Sequence, residues 1–246
     1  MNILLTNDDG YLSEGLMLLT SKLAEQGHNV YVVAPDGQRS AFSHSANIFK
    51  DLTFKCLEEY CGAVSAIISS GTPADCVKFA ATTMDVKFDL VVSGPNNGEN
   101  CGDCILYSGT VAAAEEGVLW GIPSVALSRV GSGGAYGSAV EYLCDNVETL
   151  PTLCTPHTFV NINVPDLPMA EIKGVKVVPQ CHSRLFNDYF LSHGEDVWFA
   201  TGDRIAVTHL DSDVAVVDDG YIAVTPLTIL RTADSQIAAL KEKLEK

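Results

Sequence analysis

Three short stretches of this chain hold most of the side chains able to do chemistry. Asn7-Asp8-Asp9-Gly10 sets two carboxylates side by side. Asp36-Gly37-Gln38-Arg39-Ser40-Ala41-Phe42-Ser43-His44-Ser45 adds hydroxyls, a guanidinium and an imidazole, and Ser93-Gly94-Pro95-Asn96-Asn97-Gly98-Glu99-Asn100 adds amides and glycines. Oxygen donors of this kind suit Mg²⁺ or Mn²⁺, whereas structural zinc prefers Cys and His. Ser108-Gly109-Thr110 opens an expected helix, where free N–H groups and the helix dipole favour a phosphate; Gly71-Thr72-Pro73 can serve in the same way. Each stretch alone has a plainer reading. Asp-Asp-Gly after a strand is often a turn with a helix cap, and Ser43-His44-Ser45 is equally an ordinary polar loop.

What joins them is the elements that precede them. Ile3-Leu4-Leu5-Thr6 reads as a first strand, and Val30-Tyr31-Val32-Val33-Ala34 as a second, stopped by Pro35. Leu16, Leu19 and Leu23 recur at helical spacing between them, with Gly27 placed to end that helix. After a long polar loop, Thr72 caps a helix that has proline in its first turn. Phe88 to Ser93, Ile122 to Leu127 and Phe159 to Val164 are further strands. A loop from Gly94 to Tyr107 leads to a helix beginning near Ser108, and Ala139 to Leu150 forms another. At least five βα units in succession predict a Rossmann-like α/β three-layer sandwich with a mostly parallel sheet. In such a sheet ligands bind beyond the carboxyl ends of the strands, where all three chemical stretches fall.

The chain is read as one unit, residues 1–246, with a Rossmann-like core over 1–165. From 166 to 230 the pattern turns β-rich: Val175 to Val178, Val197 to Ala200 and Tyr221 to Val224 are strand-like, with little helical pattern between them. Arg184 to Asp196 carries aromatic and apolar groups where no core strand is evident, so this arm is expected to bury itself on another subunit. Residues 231–246 form a C-terminal helix with Ile237, Leu240 and Leu244 on one face.

Fifteen Lys and Arg against 31 Asp and Glu give a net charge of -16, which excludes duplex nucleic acid as a general partner. A small phosphorylated substrate remains compatible, because a bound cation reverses the sign locally. No signal peptide is read at the N-terminus and no run is long enough to span a bilayer, so a cytoplasmic protein without membrane association is expected. Of the eight cysteines, Cys101 and Cys104 form a C-x-x-C, but no second pair follows and no helix start of the thioredoxin type is present. They are read as incidental thiols.

The sequence resembles the SurE family, the stationary-phase survival proteins that act as 5′-nucleotidases. The matching segments are Asn7 to Gly10, Ala34-Pro35-Asp36 with Arg39-Ser40-Ala41, Gly71 to Val77, Ser93-Gly94 with Asn96, Gly98 and Asn100, and Tyr107 to Val111. Asn161 to Pro165, Gly220-Tyr221 and Thr225-Pro226-Leu227 complete the set in family order. Pro95 departs from the aliphatic residue usual there, and Asn97 from a longer, often basic one.

The resemblance implies hydrolysis of nucleoside 5′-monophosphates with one divalent cation per subunit, held by Asp8, Asp9, Ser40 and Asn96. Asp8 and Asp9 are the expected catalytic pair, one of them orienting or deprotonating the attacking water. Asn7, Ser43, His44, Gly71, Thr72, Asn100, Ser108, Gly109 and Thr110 are expected to bind substrate or its phosphate. A homodimer or homotetramer is implied, built partly by an exchanged arm and C-terminal segment. Three alternatives stay open: a non-catalytic nucleotide sensor, a phosphatase also accepting 3′-nucleotides or short polyphosphate, and a covalent aspartyl-phosphate enzyme. The last normally spaces its carboxylates as D-x-D, which the adjacency of Asp8 and Asp9 disfavours.

Overall fold

The computed structural model of the chain describes residues 1–131, 133, 136–207 and 211–245. Residues 208–210 of the expected arm and Lys246 of the expected helix lie outside them. Strands β1 (Asn2–Thr6), β2 (Asn29–Pro35), β3 (Phe54–Leu57), β4 (Ser65–Ser69), β5 (Leu90–Asn97), β6 (Ser124–Val130), β7 (Thr158–Pro165), β8 (Val175–Val177) and β11 (Ile222–Thr228) form a nine-stranded sheet. Its order is β3-β4-β2-β1-β5-β6-β7-β11-β8. The central pairings are parallel, and β3 and β11 run antiparallel to β4 and β7. A separate hairpin pairs β9 (Phe186–Gly194) with β10 (Val197–Arg204).

The alternation of side chains along β1 makes the three layers. Ile3 and Leu5 point to one face, where they join Leu16, Leu19 and Leu23 of α1 (Glu14–Glu25) and Ala139, Val140 and Leu143 of α4 (Gly137–Asn146). Leu4 points to the other, with Cys76, Val77 and Ala80 of α2 (Pro73–Thr83) and Ala113 of α3 (Gly109–Leu119). Burying each such aliphatic side chain stabilises the fold by about 1.5–3 kcal/mol, so both faces of β1 commit it to the middle of the sheet.

The helices start where the sequence offers caps. Ser13 accepts from the Leu16 N–H, Thr72 and Asp75 form a reciprocal capping box, and Ser108 accepts from the Val111 N–H at 3.0 Å. α1 gives way at Gly27, whose φ of +87° is in the left-handed region.

The expectations differ from the structure in several places: a 3-10 helix, Gly102–Tyr107, lies in the expected loop, and α4 ends at Asn146, short of Leu150. The long polar loop after Pro35 contains β3 and β4, short strands at one edge of the sheet. β5 does not stop at Ser93. Its register shifts at Gly94 and Pro95, and Asn96 and Asn97 then pair with Ser128 and Arg129. Only glycine fits at 94, where φ is +121° and a Cβ would lie 2.2 Å from the Leu127 carbonyl oxygen. The region after Pro165 divides: β8 and β11 join the main sheet, whereas β9 and β10 stand apart from it. That region also contains a helix, α5 (Asp213–Asp218), whose six residues are too few for a periodic pattern. The C-terminal helix α6 (Asp234–Leu244) forms, but none of its residues is buried.

Candidate active site

Asn7 clasps the loop that follows β1. Its amide nitrogen donates to the Gly10 carbonyl at 3.0 Å and to Ser13 Oγ at 2.6 Å, and its Oδ1 accepts from the Gly10 N–H. The loop then meets the one after β2: a Cβ on Gly10 would lie 3.0 Å from the Gly37 backbone, and the Arg39 N–H donates to the Asp8 carbonyl at 2.6 Å. Ser40, exposed, follows directly.

Asp8 is 4% exposed and takes a 2.7 Å hydrogen bond from Thr110 Oγ1. A Cβ on Gly109 would fall 3.2 Å from Asp8 Oδ2 and 3.3 Å from Pro73 Cγ. The carboxylate therefore lies against the first residues of α3, with the start of α2 alongside. Burial pushes the Asp8 pKa up to about 6; the Thr110 bond opposes the shift, and the charge of Asp9 adds to it. Burial also raises Asp9, against the Asn97 N–H, which donates to its Oδ2 at 3.1 Å, and the charge of Arg129. Asn96 directs its amide nitrogen to the Gly98 carbonyl at 3.0 Å, so its side-chain oxygen is the atom open to a cation.

This donor set fits a hard divalent cation. Two adjacent carboxylates repel one another and resist ionisation where they stand, and a cation between them reverses both effects. Among the described residues no three His, Cys, Asp or Glu side chains cluster as ligands. Neutral oxygens must complete the shell, as Ser40 and Asn96 would.

The other expected contacts divide into three groups. Gly109 and Thr110 lie on Asp8 itself. Ser43, His44 and Ser108 instead line a cleft of about 630 Å³ that none of Asp8, Asp9, Ser40, Asn96, Gly109 or Thr110 touches. Ser43 donates to the Leu106 carbonyl, and His44 is held between Glu116 at 2.8 Å and Glu115 at 3.3 Å. Their hydrogen bonds raise the His44 pKa to about 9, making it a cation at neutral pH. Thr72 is engaged by its capping box and by the Ser45 carbonyl, to which its hydroxyl donates. Gly71 is packed so closely on Asp75 that a Cβ would lie 2.9 Å away. Asn100 is buried: its amide nitrogen donates to Ser128 Oγ, and its carbonyl accepts from Asn161 and Asn163. Asn7, Thr72, His44 and Asn100 thus spend polar atoms bracing the loops.

Cys101 is fully buried and Cys104 half-buried; burial raises the first thiol well above its usual range and the second to about 12. Neither is a thiolate at neutral pH, and all eight cysteines are free. Sequence reasoning passed over Arg129 and the Asn97 backbone. The available signal was a lone arginine inside the otherwise uncharged run Ser124 to Val130.

Residues 3–187 match the family model described as Survival protein SurE. A 5′-nucleotidase SurE of Kosmotoga olearia is 41% identical, over 100% of this chain and 99% of its own length. One of Desulfitobacterium hafniense is 39% identical over 99% and 97%, and a 5′/3′-nucleotidase SurE of Proteus mirabilis is 36% identical over 100% and 97%. The crystal structure of the SurE protein from Aquifex aeolicus superposes with a TM-score of 0.86 at 32% identity, covering both chains completely. With the Asp8–Asp9 pair at the end of β1 and a likeness that runs the length of the chain, this protein belongs to the SurE family.

Proposed function

We propose that this protein is a 5′-nucleotidase, hydrolysing nucleoside 5′-monophosphates to nucleoside and phosphate with one divalent cation, Mg²⁺ or Mn²⁺, per subunit. The observation that carries the reading is Asp8, buried against the start of α3, with the partly buried Asp9 beside it just beyond the carboxyl end of β1. Asp8, Asp9, Ser40 and Asn96 would hold the cation. Bound there, it neutralises phosphoryl charge and lowers the pKa of a water. The free N–H groups at the start of α3, with the Thr110 hydroxyl, would receive the phosphate oxygens. Asp9, less buried than Asp8, is the carboxylate better placed to orient the attacking water.

A wider specificity is a second reading, favoured by the 5′/3′-nucleotidase name of the Proteus mirabilis relative. Two features support a homo-oligomer formed through the arm and the C-terminal segment. Phe190, Trp198 and Phe199 of the hairpin are 67%, 64% and 53% exposed, and α6 buries nothing within its own chain. Eight unpaired cysteines support a reducing cytoplasmic location. Among the described residues no helix is long and apolar enough to cross a membrane.

Phosphate release should be followed for 5′- and 3′-nucleoside monophosphates and short polyphosphate, with Mg²⁺ and Mn²⁺ in turn. The reading predicts cation-dependent release, greatest from 5′-nucleotides. Binding of nucleotide and cation without any release would favour a sensor instead.

A further inference from the structure

β6 is buried from Ser124 to Arg129, and that arginine, the last residue but one of the strand, is 4% exposed. Taking a guanidinium out of water costs several kcal/mol unless its protons find acceptors, so a buried arginine needs an account. Here Nη1 donates to Asp166 Oδ2 at 3.0 Å and Nη2 donates to Asn97 Oδ1. The guanidinium lies 5.2 Å from the centre of the Tyr136 ring, and Nε has no partner among the described residues. Asn97 closes β5 and Asp166 follows the last residue of β7. One side chain thus ties together the carboxyl ends of three neighbouring strands.

The tie falls where the sheet needs one. β5 has lost its regular register at Gly94 and Pro95, so the ladder alone fixes Asn96 and Asn97 less firmly than the residues before them. From Asn97 the connection continues to the site, because its N–H donates to Asp9 Oδ2. The order of contacts is Asp166, Arg129, Asn97, Asp9.

We propose that Arg129 is a positioning residue for the reaction, holding Asn97, and through it Asp9, in the arrangement that receives the cation. This rests on the nucleotidase reading for its catalytic part. A planar fork is needed to meet both acceptors at once, and lysine, a point charge on a flexible stem, cannot replace it.

The test uses the full-length wild type with Arg129→Lys, Arg129→Met, Asn97→Ala and the Arg129→Met/Asn97→Ala double variant. Mn²⁺ dissociation constants are read from the free-ion electron paramagnetic resonance signal, beside kcat, KM and melting temperature. Each single variant should weaken Mn²⁺ binding about fivefold and lower kcat about tenfold, with KM within about threefold, because the interaction lost is one made beyond substrate binding. Arg129→Lys should give no rescue, and the double variant should be no worse than the worse single, as expected of residues acting through one contact. Lower melting with unchanged Mn²⁺ affinity and kcat would reduce Arg129 to a sheet clamp and overturn the proposal. Multiplicative losses in the double variant would overturn the route through Asn97. Should the Arg129 variants not fold, Asn97→Ala carries the same measurements. Wild type that binds Mn²⁺ but releases no phosphate would defeat the nucleotidase reading, while the Mn²⁺ affinities would still judge Arg129.

Discussion

Asp8→Asn should stabilise the metal-free protein while removing its ability to be stabilised by metal. The side chain keeps its size and an oxygen for the Thr110 hydroxyl, and it loses a charge that burial and Asp9 oppose. A folded-state pKa raised from 3.8 to about 6 means that the native state binds the proton more tightly than the unfolded chain. The resulting cost is absent below the unfolded pKa, grows as pH rises through the window, and is complete above about 6. A rise of that size corresponds to about 3 kcal/mol. For a chain of this size each kcal/mol moves the midpoint by roughly 2–4 °C. Differential scanning fluorimetry in excess chelator at pH 7.5 should therefore show the variant melting higher by several degrees, with the gap closing towards pH 4. Added Mn²⁺ should raise the wild-type midpoint and leave the variant unmoved. A variant that melts at or below wild type at pH 7.5 without metal would refute the electrostatic argument.

The remaining predictions concern groups away from the carboxylates. The His44 pKa is raised to about 9, so its ion pairs stabilise fully below its unfolded value of 6.5 and fade as pH rises through 9. Counting the shared interaction once, His44→Gln should cost about 2 kcal/mol in urea unfolding at pH 7 and almost nothing at pH 10; equal losses at both would contradict the assignment. Cys101→Ser with Cys104→Ser should leave turnover within a few-fold, and a loss beyond about 100-fold with the fold intact would give these thiols a part in the reaction. Deleting residues 186–196 should give a smaller particle in light scattering, and a full-length protein monomeric at micromolar concentration would contradict the proposed assembly.

The parallel core was legible because β1, β2, β6 and β7 are apolar runs bounded by caps and turn residues. β3 was not: Phe54-Lys55-Cys56-Leu57 is a four-residue edge strand, half-exposed, and its sequence lacks the alternation that reports a buried face. The end of β5 was hidden for another reason. Gly94 and Pro95 read as punctuation, whereas the strand bulges there and resumes. The position of Asp8 and Asp9 was legible because the residues after a parallel strand fall at the sheet's carboxyl edge. The hydrogen bonds with which Asn7 and His44 brace their loops were not legible, because a side chain that braces a loop has the same composition as one that meets substrate. Arg129 escaped notice because its partners are 32 and 37 residues away along the chain.

In the proposed reaction Asp8 and Asp9 hold the cation on which hydrolysis depends. The most direct measurement is phosphate release from a nucleoside 5′-monophosphate by exhaustively chelated protein, before and after Mn²⁺ is restored, with Asp9→Asn beside it. Asparagine keeps the shape of the side chain but removes the charge a hard cation requires. No release is expected without metal, full recovery in the wild type on its return, and none in the variant at any Mn²⁺ concentration. Undiminished release after chelation, or full activity in Asp9→Asn, would contradict it.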